Sequence, residues 1–298
     1  MKLSKKPIIL VRLIGGLGNQ LFSYATALRV ALKNNAELVV DDITGFTGDD
    51  QYQRQYQLDH FSISSRKATA NERLEPFAKL KRYLKRLVNN LRKNNLTYIQ
   101  DFENSFKPEM LELKLKKNLY MEGYWQDERY FKDIENIVRQ ELKIKPPEDE
   151  LNLSIAKEIK KNTSIAIHVR FFYDASSGKD ISSNYYKKAI LEIEKRVPGS
   201  HFYLFSDKPQ EATNIINLPR DRLTVVDHNY GDDNCYADLW LMTLCDHFIV
   251  ANSTFSWWGA WLSQNTKKIV LAPDFAIHDG GSPAEQFNRI ILDEWEKL

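Results

Sequence analysis

The period of the apolar positions changes several times along the chain, and each change marks an element. Ile8-Ile9-Leu10-Val11 is a short unbroken apolar run inside the β-rich segment 7–14, which predicts a buried strand. After a glycine turn at 15–19, Leu21, Tyr24, Ala25, Leu28 and Leu32 recur at helical spacing, and Leu38-Val39-Val40 reads as a second buried strand. Strand, helix and strand in this order make a βαβ unit and predict a parallel sheet. Residues 43–75 are polar and poorly periodic. Beyond them Phe77, Leu80, Leu84, Leu87 and Leu91 fall on one helical face, while Lys79, Lys81, Arg82, Lys85, Arg86, Arg92 and Lys93 fill the rest. The expectation is that this apolar face packs on the protein with the charges in water; the alternative is weak peripheral membrane contact through the basic helix 77–93. A helix is expected over 127–142, and Lys145-Pro146-Pro147-Glu148-Asp149-Glu150 reads as a linker.

Past the linker the alternation of strand and helix is clearer. Ile165–Val169, Phe202–Phe205, Leu223–Val226, Phe248–Ala251 and Lys268–Ala272 read as strands. Helices are predicted from Tyr186 to a stop near Pro198-Gly199, over 235–246, and from Phe255 to Leu262. The division expected is an α/β domain over 1–150 and a second over 151–298. This second half has the rhythm of a nucleotide-binding domain but lacks a Gly-x-Gly-x-x-Gly fingerprint.

Composition narrows the class without selecting a function. Of 298 residues 43% are hydrophobic and 28% charged, with 42 basic and 40 acidic side chains and a net charge of +2. That balance predicts no nucleic-acid partner. Cys235 and Cys245 are the two cysteines, ten positions apart on one expected helix, too distant for a disulfide. The first apolar run is too short for a signal peptide or a membrane span, so cytoplasmic localisation is expected.

Three segments carry chemistry. Gly15-Gly16-Leu17-Gly18-Asn19-Gln20 lies between a strand and a helix, where glycines let the backbone approach a ligand and helix N–H groups point at it. Gly16, Gly18, Asn19 and Gln20 are candidates for phosphate or hydroxyl contact, against the plainer reading of a tight turn. His168 and Arg170 leave the end of a buried strand two residues apart, so both point to one side of the sheet. Arg170 offers a permanently charged fork for pyrophosphate. Asn252-Ser253-Thr254-Phe255-Ser256 bridges a strand end and a helix start, a grouping of polar atoms larger than an N-cap requires. The tryptophans that follow read as packing. Asp232-Asp233 reads as a solvated loop, and no metal site is expected.

Taken together these segments resemble the α-1,2-fucosyltransferases. Gly15–Phe22 is similar to the N-terminal signature of that family, Gly123-Tyr124-Trp125-Gln126 to its Gly-Tyr-aromatic-Gln, and Phe205-Ser206-Asp207 to its Phe-Ser-Asp. Asp238–His247 resembles its Asp-x-x-Leu-Met-Ser-x-Cys-x-His stretch, and Asn252–Trp261 matches its Asn-Ser-Ser/Thr-Phe-Ser-Trp-Trp-Gly-Ala-Trp element almost residue for residue. One departure stands out: Phe171 occupies the place of the family's usual second Arg, and an acidic residue arrives one position late, at Asp174.

The resemblance implies an α/β protein of two Rossmann-like domains facing across a cleft, the glycosyltransferase B type. It implies GDP-fucose as donor, no cofactor and no metal, and a β-galactoside-terminated glycan as acceptor, fucosylated in α-1,2 linkage with inversion. Arg170 and Asn19 are then the expected catalytic residues. Gly16, Gly18, Gln20, His168, Asp207, Asp238, Asn252, Ser253, Thr254, Phe255 and Ser256 are expected to bind the donor, with Asp238 reading guanine. Inversion calls for a base near the incoming hydroxyl, and Asp174, Asp127, Glu128 and Asn19 are all open for it. The alternatives are a transferase of the same fold using another nucleotide sugar, and a non-catalytic nucleotide- or glycan-binding module.

Overall fold

The computed structural model describes residues 6–50, 52–91, 96–103, 105–171, 181–274 and 287–298. The chain divides into two compact units, Met1–Lys143 and Ile144–Leu298.

In the first unit β1 (Ile8–Arg12) leads through the glycine turn into α1 (Leu17–Lys33), and then to β2 (Glu37–Asp41) and β3 (Arg66–Lys67). After α2 (Ala78–Leu91) come β4 (Tyr98–Asp101), β5 (Leu119–Gly123) and α3 (Glu135–Glu141). The sheet order is β3-β2-β1-β5-β4, and every pairing is parallel. α1 is buried on most of its circumference, Gln20, Ser23 and Thr26 included. Leu32, placed by its spacing on the core face, is half exposed near the helix end.

Two expectations for this unit fail. The segment 127–142 is not one helix: 3-10 turns at Glu128–Tyr130 and Lys132–Ile134 precede α3. The Asp127 carboxylate caps the first turn by accepting from the Arg129 N–H, and the chain tightens there instead of propagating an α-helix. The second failure concerns α2, whose polarity is the reverse of the expected one. Phe77, Leu80, Leu84 and Leu87 are exposed, while Arg82 is 5% exposed. Arg82 donates from Nη1 to Thr44 Oγ1 at 3.2 Å and lies 4.0 Å from the Glu122 carboxylate. Glu122 also pairs with Arg12 at 2.6 Å and accepts from Tyr98 OH. A buried cation is tolerable only with such partners, and they anchor the helix by its polar side. Arg92 and Lys93, counted with the basic positions of this helix, lie outside the described residues.

The second unit begins with α4 (Glu150–Ile159) and continues β6 (Ser164–Val169), α5 (Ser183–Arg196), β7 (His201–Ser206), α6 (Pro209–Ile216) and β8 (Leu223–Val226). It finishes with α7 (Cys235–Leu244), β9 (His247–Ile249), α8 (Thr254–Leu262), β10 (Val270–Ala272) and β11 (Glu296–Lys297). Its parallel sheet has the order β11-β10-β9-β6-β7-β8. Counted from β6 as the first strand, this is the 3-2-1-4-5-6 arrangement of doubly wound dinucleotide-binding folds. β6 is fully buried, as its apolar run predicts. α8 is apolar all round because it is enclosed. Trp257 and Trp258 are buried side by side, and the Trp257 indole N–H donates to Ile290 O at 2.7 Å. A Cβ on Gly259 would lie 3.1–3.3 Å from the Met242 side chain, so glycine lets α8 approach α7 closely.

Candidate active site

Open parallel sheets bind ligands at the carboxyl ends of the strands, where the strand order reverses. Each unit has one such point, and the sequence motifs converge on both.

In the first unit the reversal lies between β1 and β5. β1 runs into the glycine turn, and β5 ends at Gly123-Tyr124-Trp125-Gln126. These segments, over a hundred residues apart, touch: the Gln126 side chain donates to Asn19 Oδ1 at 2.8 Å. Gly123, at φ 148°, lies so close to β4 that a Cβ would come 2.0 Å from Asp101 O, and its own carbonyl accepts from Ser23 Oγ. Gly15 needs its left-handed φ of 73° to make the turn, and Gly16 is the N-cap of α1. Gln20 is fully buried. Its Nε2 donates to Gly15 O and Gln55 O at 3.1 and 2.8 Å, and its Oε1 accepts from Gln57 N at 3.0 Å. The Gln20 amide thus holds the turn and the 55–57 loop together.

Arg54 escaped the sequence reading because it lies in the featureless stretch 43–75. Its guanidinium carbon is 3.4 Å from where a Cβ on Gly16 would stand, so the glycine turn has a cation beside it. A lone arginine in a polar segment carries no period and no motif, and only the fold reveals it. Asp127 and Glu128, both raised as possible bases, are buried and ion-paired, to Arg129 at 2.6 Å and Lys132 at 3.1 Å. Asp174, the other carboxylate raised, lies outside the described residues.

In the second unit the reversal lies between β6 and β9. The strand β6 ends in His168-Val169 and releases Arg170; β9 is followed by Asn252 and the start of α8. Arg170 pairs with Asp207, at the end of neighbouring β7, at 3.1 Å, and the other Asp207 oxygen accepts from Phe171 N at 3.1 Å. Asp207 thus grips the chain at the position where the second Arg of the resemblance is missing. His168 is buried, with its ring 5.6 Å from that of Phe255 and its Nδ1 without a hydrogen-bond partner. Burial, reinforced by the Arg170 charge, lowers its pKa to about 3, so the imidazole is neutral at physiological pH. Ser253 caps α8 by accepting from Phe255 N. Ser256 is buried; its hydroxyl accepts from Ala251 N at 3.2 Å and donates to Ser253 O at 3.3 Å, which shapes the loop from within. Asn252, Thr254 and Phe255 are partly exposed.

Asp238 sits in the first turn of α7. Burial raises its carboxyl pKa to about 7, and a 2.7 Å hydrogen bond from Asn229 Nδ2 opposes that rise. Asn229 in turn exchanges amide hydrogen bonds with Asn152 at 2.8 and 3.0 Å, and the Asn152 carbonyl oxygen also meets His228 Nε2 at 3.0 Å. The sequence reading missed Asn152 and Asn229; Asp227-His228-Asn229 after a strand end was the available signal. Among the described residues no three His, Cys, Asp or Glu side chains are grouped to hold a metal ion, and no helix is long and apolar enough to cross a membrane.

Residues 8–297 match the profile of glycosyl transferase family 11. The chain belongs to that family. Among curated relatives of this family 11 transferase, an alpha-1,2-colitosyltransferase of Escherichia coli is 28% identical over 280 residues, covering 89% of the present chain and 91% of its own. The O-antigen biosynthesis glycosyltransferase WbnK, also of Escherichia coli, is 29% identical over 313 residues, covering 96% and 99%. Solved structures of similar fold include the fucosyltransferase NodZ from Bradyrhizobium, with TM-score 0.52 and 14% identity over 86% of this chain and 92% of that one. A FUT1 variant of Arabidopsis thaliana in complex with GDP gives TM-score 0.57 and 14% identity over 91% and 71%. POFUT1 in complex with GDP gives TM-score 0.53 and 12% identity over 92% and 99%. At these identities the likeness shows the fold, that of the glycosyltransferase B type, as expected.

Proposed function

We propose that this glycosyltransferase moves L-fucose from GDP-fucose to O2 of a terminal β-galactoside, with inversion and without a metal. The observation that carries this reading is the grouping at the β6/β9 reversal: a carboxylate-held Arg170, a neutral His168 and the capped start of α8, on adjacent strand ends. As the bond to the sugar breaks, negative charge grows on the departing diphosphate. Arg170, oriented in advance by Asp207, supplies fixed positive charge there, and the α8 N–H groups add their dipoles. His168, uncharged, contributes a hydrogen bond. Asp238 accepts from the N–H groups of guanine, positioned by Asn229. The first unit, with its glycine turn, Asn19 and Arg54, is assigned to the acceptor side.

Family membership and the GDP complexes of similar folds support a guanine nucleotide. The colitosyltransferase relative and Phe171 in the second Arg's place keep a different 6-deoxy sugar as a second reading. The test is thermal stabilisation by GDP against UDP, followed by transfer assays with GDP-fucose and GDP-colitose onto β-galactosides in the presence of EDTA. The proposal expects GDP alone to stabilise and GDP-fucose to be consumed, giving an α-1,2 product. Equal stabilisation by UDP removes the donor assignment, and dependence on added Mg²⁺ or Mn²⁺ removes the metal-free reading.

A further inference from the structure

The helix α2 is built inside out. At 100° per residue, Leu80, Tyr83, Leu84, Leu87 and Val88 share one stripe, and Arg82, Arg86 and Asn89 lie opposite. A helix on a water-soluble surface normally turns its apolar stripe inward. Here the polar stripe is the attachment. Arg82 reaches Thr44, Arg86 donates to Gln100 Oε1 at 3.3 Å, and Asn89 Oδ1 accepts from Thr97 and Tyr98 N–H at 3.0 and 3.3 Å. These bonds fix the roll of the helix, and the apolar stripe faces away from the protein: Leu80 is 57% and Leu84 50% exposed. Phe77, just before the helix, is 74% exposed at a φ of 70°, a costly conformation for a side chain that touches so little. It borders an apolar groove of about 400 Å³ shared with Ile43 and Thr47.

Charge identifies what this surface meets. Residues 76–100 contain no Asp or Glu. Lys79 lies on one flank of the stripe, Lys81 and Lys85 on the other. Glu75, at the groove, is paired with Arg73 at 3.1 Å. An apolar strip about 12 Å long from Leu80 to Val88, edged on both sides by cations, matches the interface of an anionic bilayer, where the leucines enter the acyl boundary and the lysine stems carry their charges up to the headgroups. A protein groove that received the same strip would need acidic rims on both sides.

We propose that α2 with Phe77 is a peripheral docking surface for anionic membranes. The proposal is independent of the transfer reaction. It is tested by flotation of the full chain with vesicles of phosphatidylcholine alone and of phosphatidylcholine with phosphatidylglycerol in equal parts, at low and high salt. Binding is expected on the mixed vesicles and to fall with salt. Leu80→Ser with Leu84→Ser, and separately Lys79→Glu with Lys85→Glu, are each expected to lower the partition coefficient at least about tenfold. All four side chains lie on the solvent side, so melting temperature and donor hydrolysis should stay at wild-type values. Absence of binding to the mixed vesicles at low salt overturns the proposal, as does binding that neither variant weakens. A wild-type dimer that Leu80→Ser with Leu84→Ser converts to monomer, without vesicle binding, assigns the strip to a second copy of the chain and overturns it as well.

Discussion

The two strand-order reversals use polar groups in opposite ways. In the first unit the amides of Gln20, Asn19 and Gln126 bond to one another or to the backbone, and the charges at the strand ends, Arg12 and Glu122, pair with each other. In the second, an arginine is held by a carboxylate, a histidine is buried with a ring nitrogen unsatisfied, and a carboxyl is pushed to about 7. Perturbed and incompletely satisfied groups cost stability, and folds keep them where a ligand uses them. Each reversal keeps a buried ring nitrogen without a partner, Trp125 Nε1 in the first and His168 Nδ1 in the second, but the first ties its amides into the turn while the second places an arginine at the strand end. Substitutions should therefore affect folding at the first and catalysis at the second.

The largest effect should come from Arg170→Ala. If Arg170 neutralises the leaving diphosphate, kcat should fall on the order of 10²-fold or more with the melting temperature little changed. Arg170→Lys should recover only part, because an ammonium cannot form the planar fork. Asp207→Asn, which keeps the shape but loses the charge that orients Arg170, should cost about tenfold in kcat. Near-normal turnover of GDP-fucose by a folded Arg170→Ala protein would remove the assignment of catalysis to the second reversal.

Next in size is Asp238→Asn. Loss of a charged hydrogen bond to guanine is expected to weaken GDP binding by about 1.5–3 kcal/mol, measured by calorimetry. The pH profile sharpens this. Guanine requires the ionised carboxylate, so wild-type affinity for GDP should rise with pH up to about 7 and then level, while the Asn variant stays flat. Stability moves the other way. In the unfolded chain this carboxyl ionises near pH 4, so between about 4 and 7 the fold retains a proton that the unfolded chain has lost. Its contribution to stability is present at low pH and declines over that window, a decline absent from Asp238→Asn. Parallel melting curves for the two proteins from pH 4 to 8 would show that Asp238 titrates normally.

Gln20→Leu should be smaller and of a different kind. It strands the partners of three hydrogen bonds in a buried place and should cost roughly 2 kcal/mol of stability in denaturant melts. Asn19→Ala, at a partly exposed position, should cost less than about 1 kcal/mol. A Gln20→Leu protein that melts normally yet fails to bind donor would show that Gln20 acts in binding and not in holding the turn.

Much of this architecture was readable before any coordinates. The βαβ opening, the buried strand ending at His168 and the enclosed helix after Ser253 each follow from an unambiguous period. What escaped depends on partners distant in sequence. α4 and α6 adjoin Pro- and Asn-containing turns that read as linker and loop, and that polar context hid them. The inverted packing of α2 escaped because an amphipathic pattern defines two faces without saying which turns inward. Only Glu122, forty residues past Arg82, makes burial of the cation affordable. Arg54 and the Asn152–Asn229 amide pair likewise acquire meaning only when the fold sets them beside Gly16 and Asp238.

The packing of α8 also gives the protein an unequal optical make-up. Of six tryptophans, Trp240, Trp257, Trp258, Trp261 and Trp295 lie in the second unit, and Trp125 alone represents the first. Trp257 and Trp258 have ring centroids 5.0 Å apart, with Trp261 and Trp295 within 6.1 Å of Trp257, so their transitions couple and should dominate the near-ultraviolet circular dichroism. The cluster follows the Ser253–Ser256 segment directly along α8, so intrinsic fluorescence should change on adding GDP if that segment binds the donor. A Trp125→Phe protein would confine the signal to the second unit, so the two halves of the chain can be watched separately as they unfold, with no label attached.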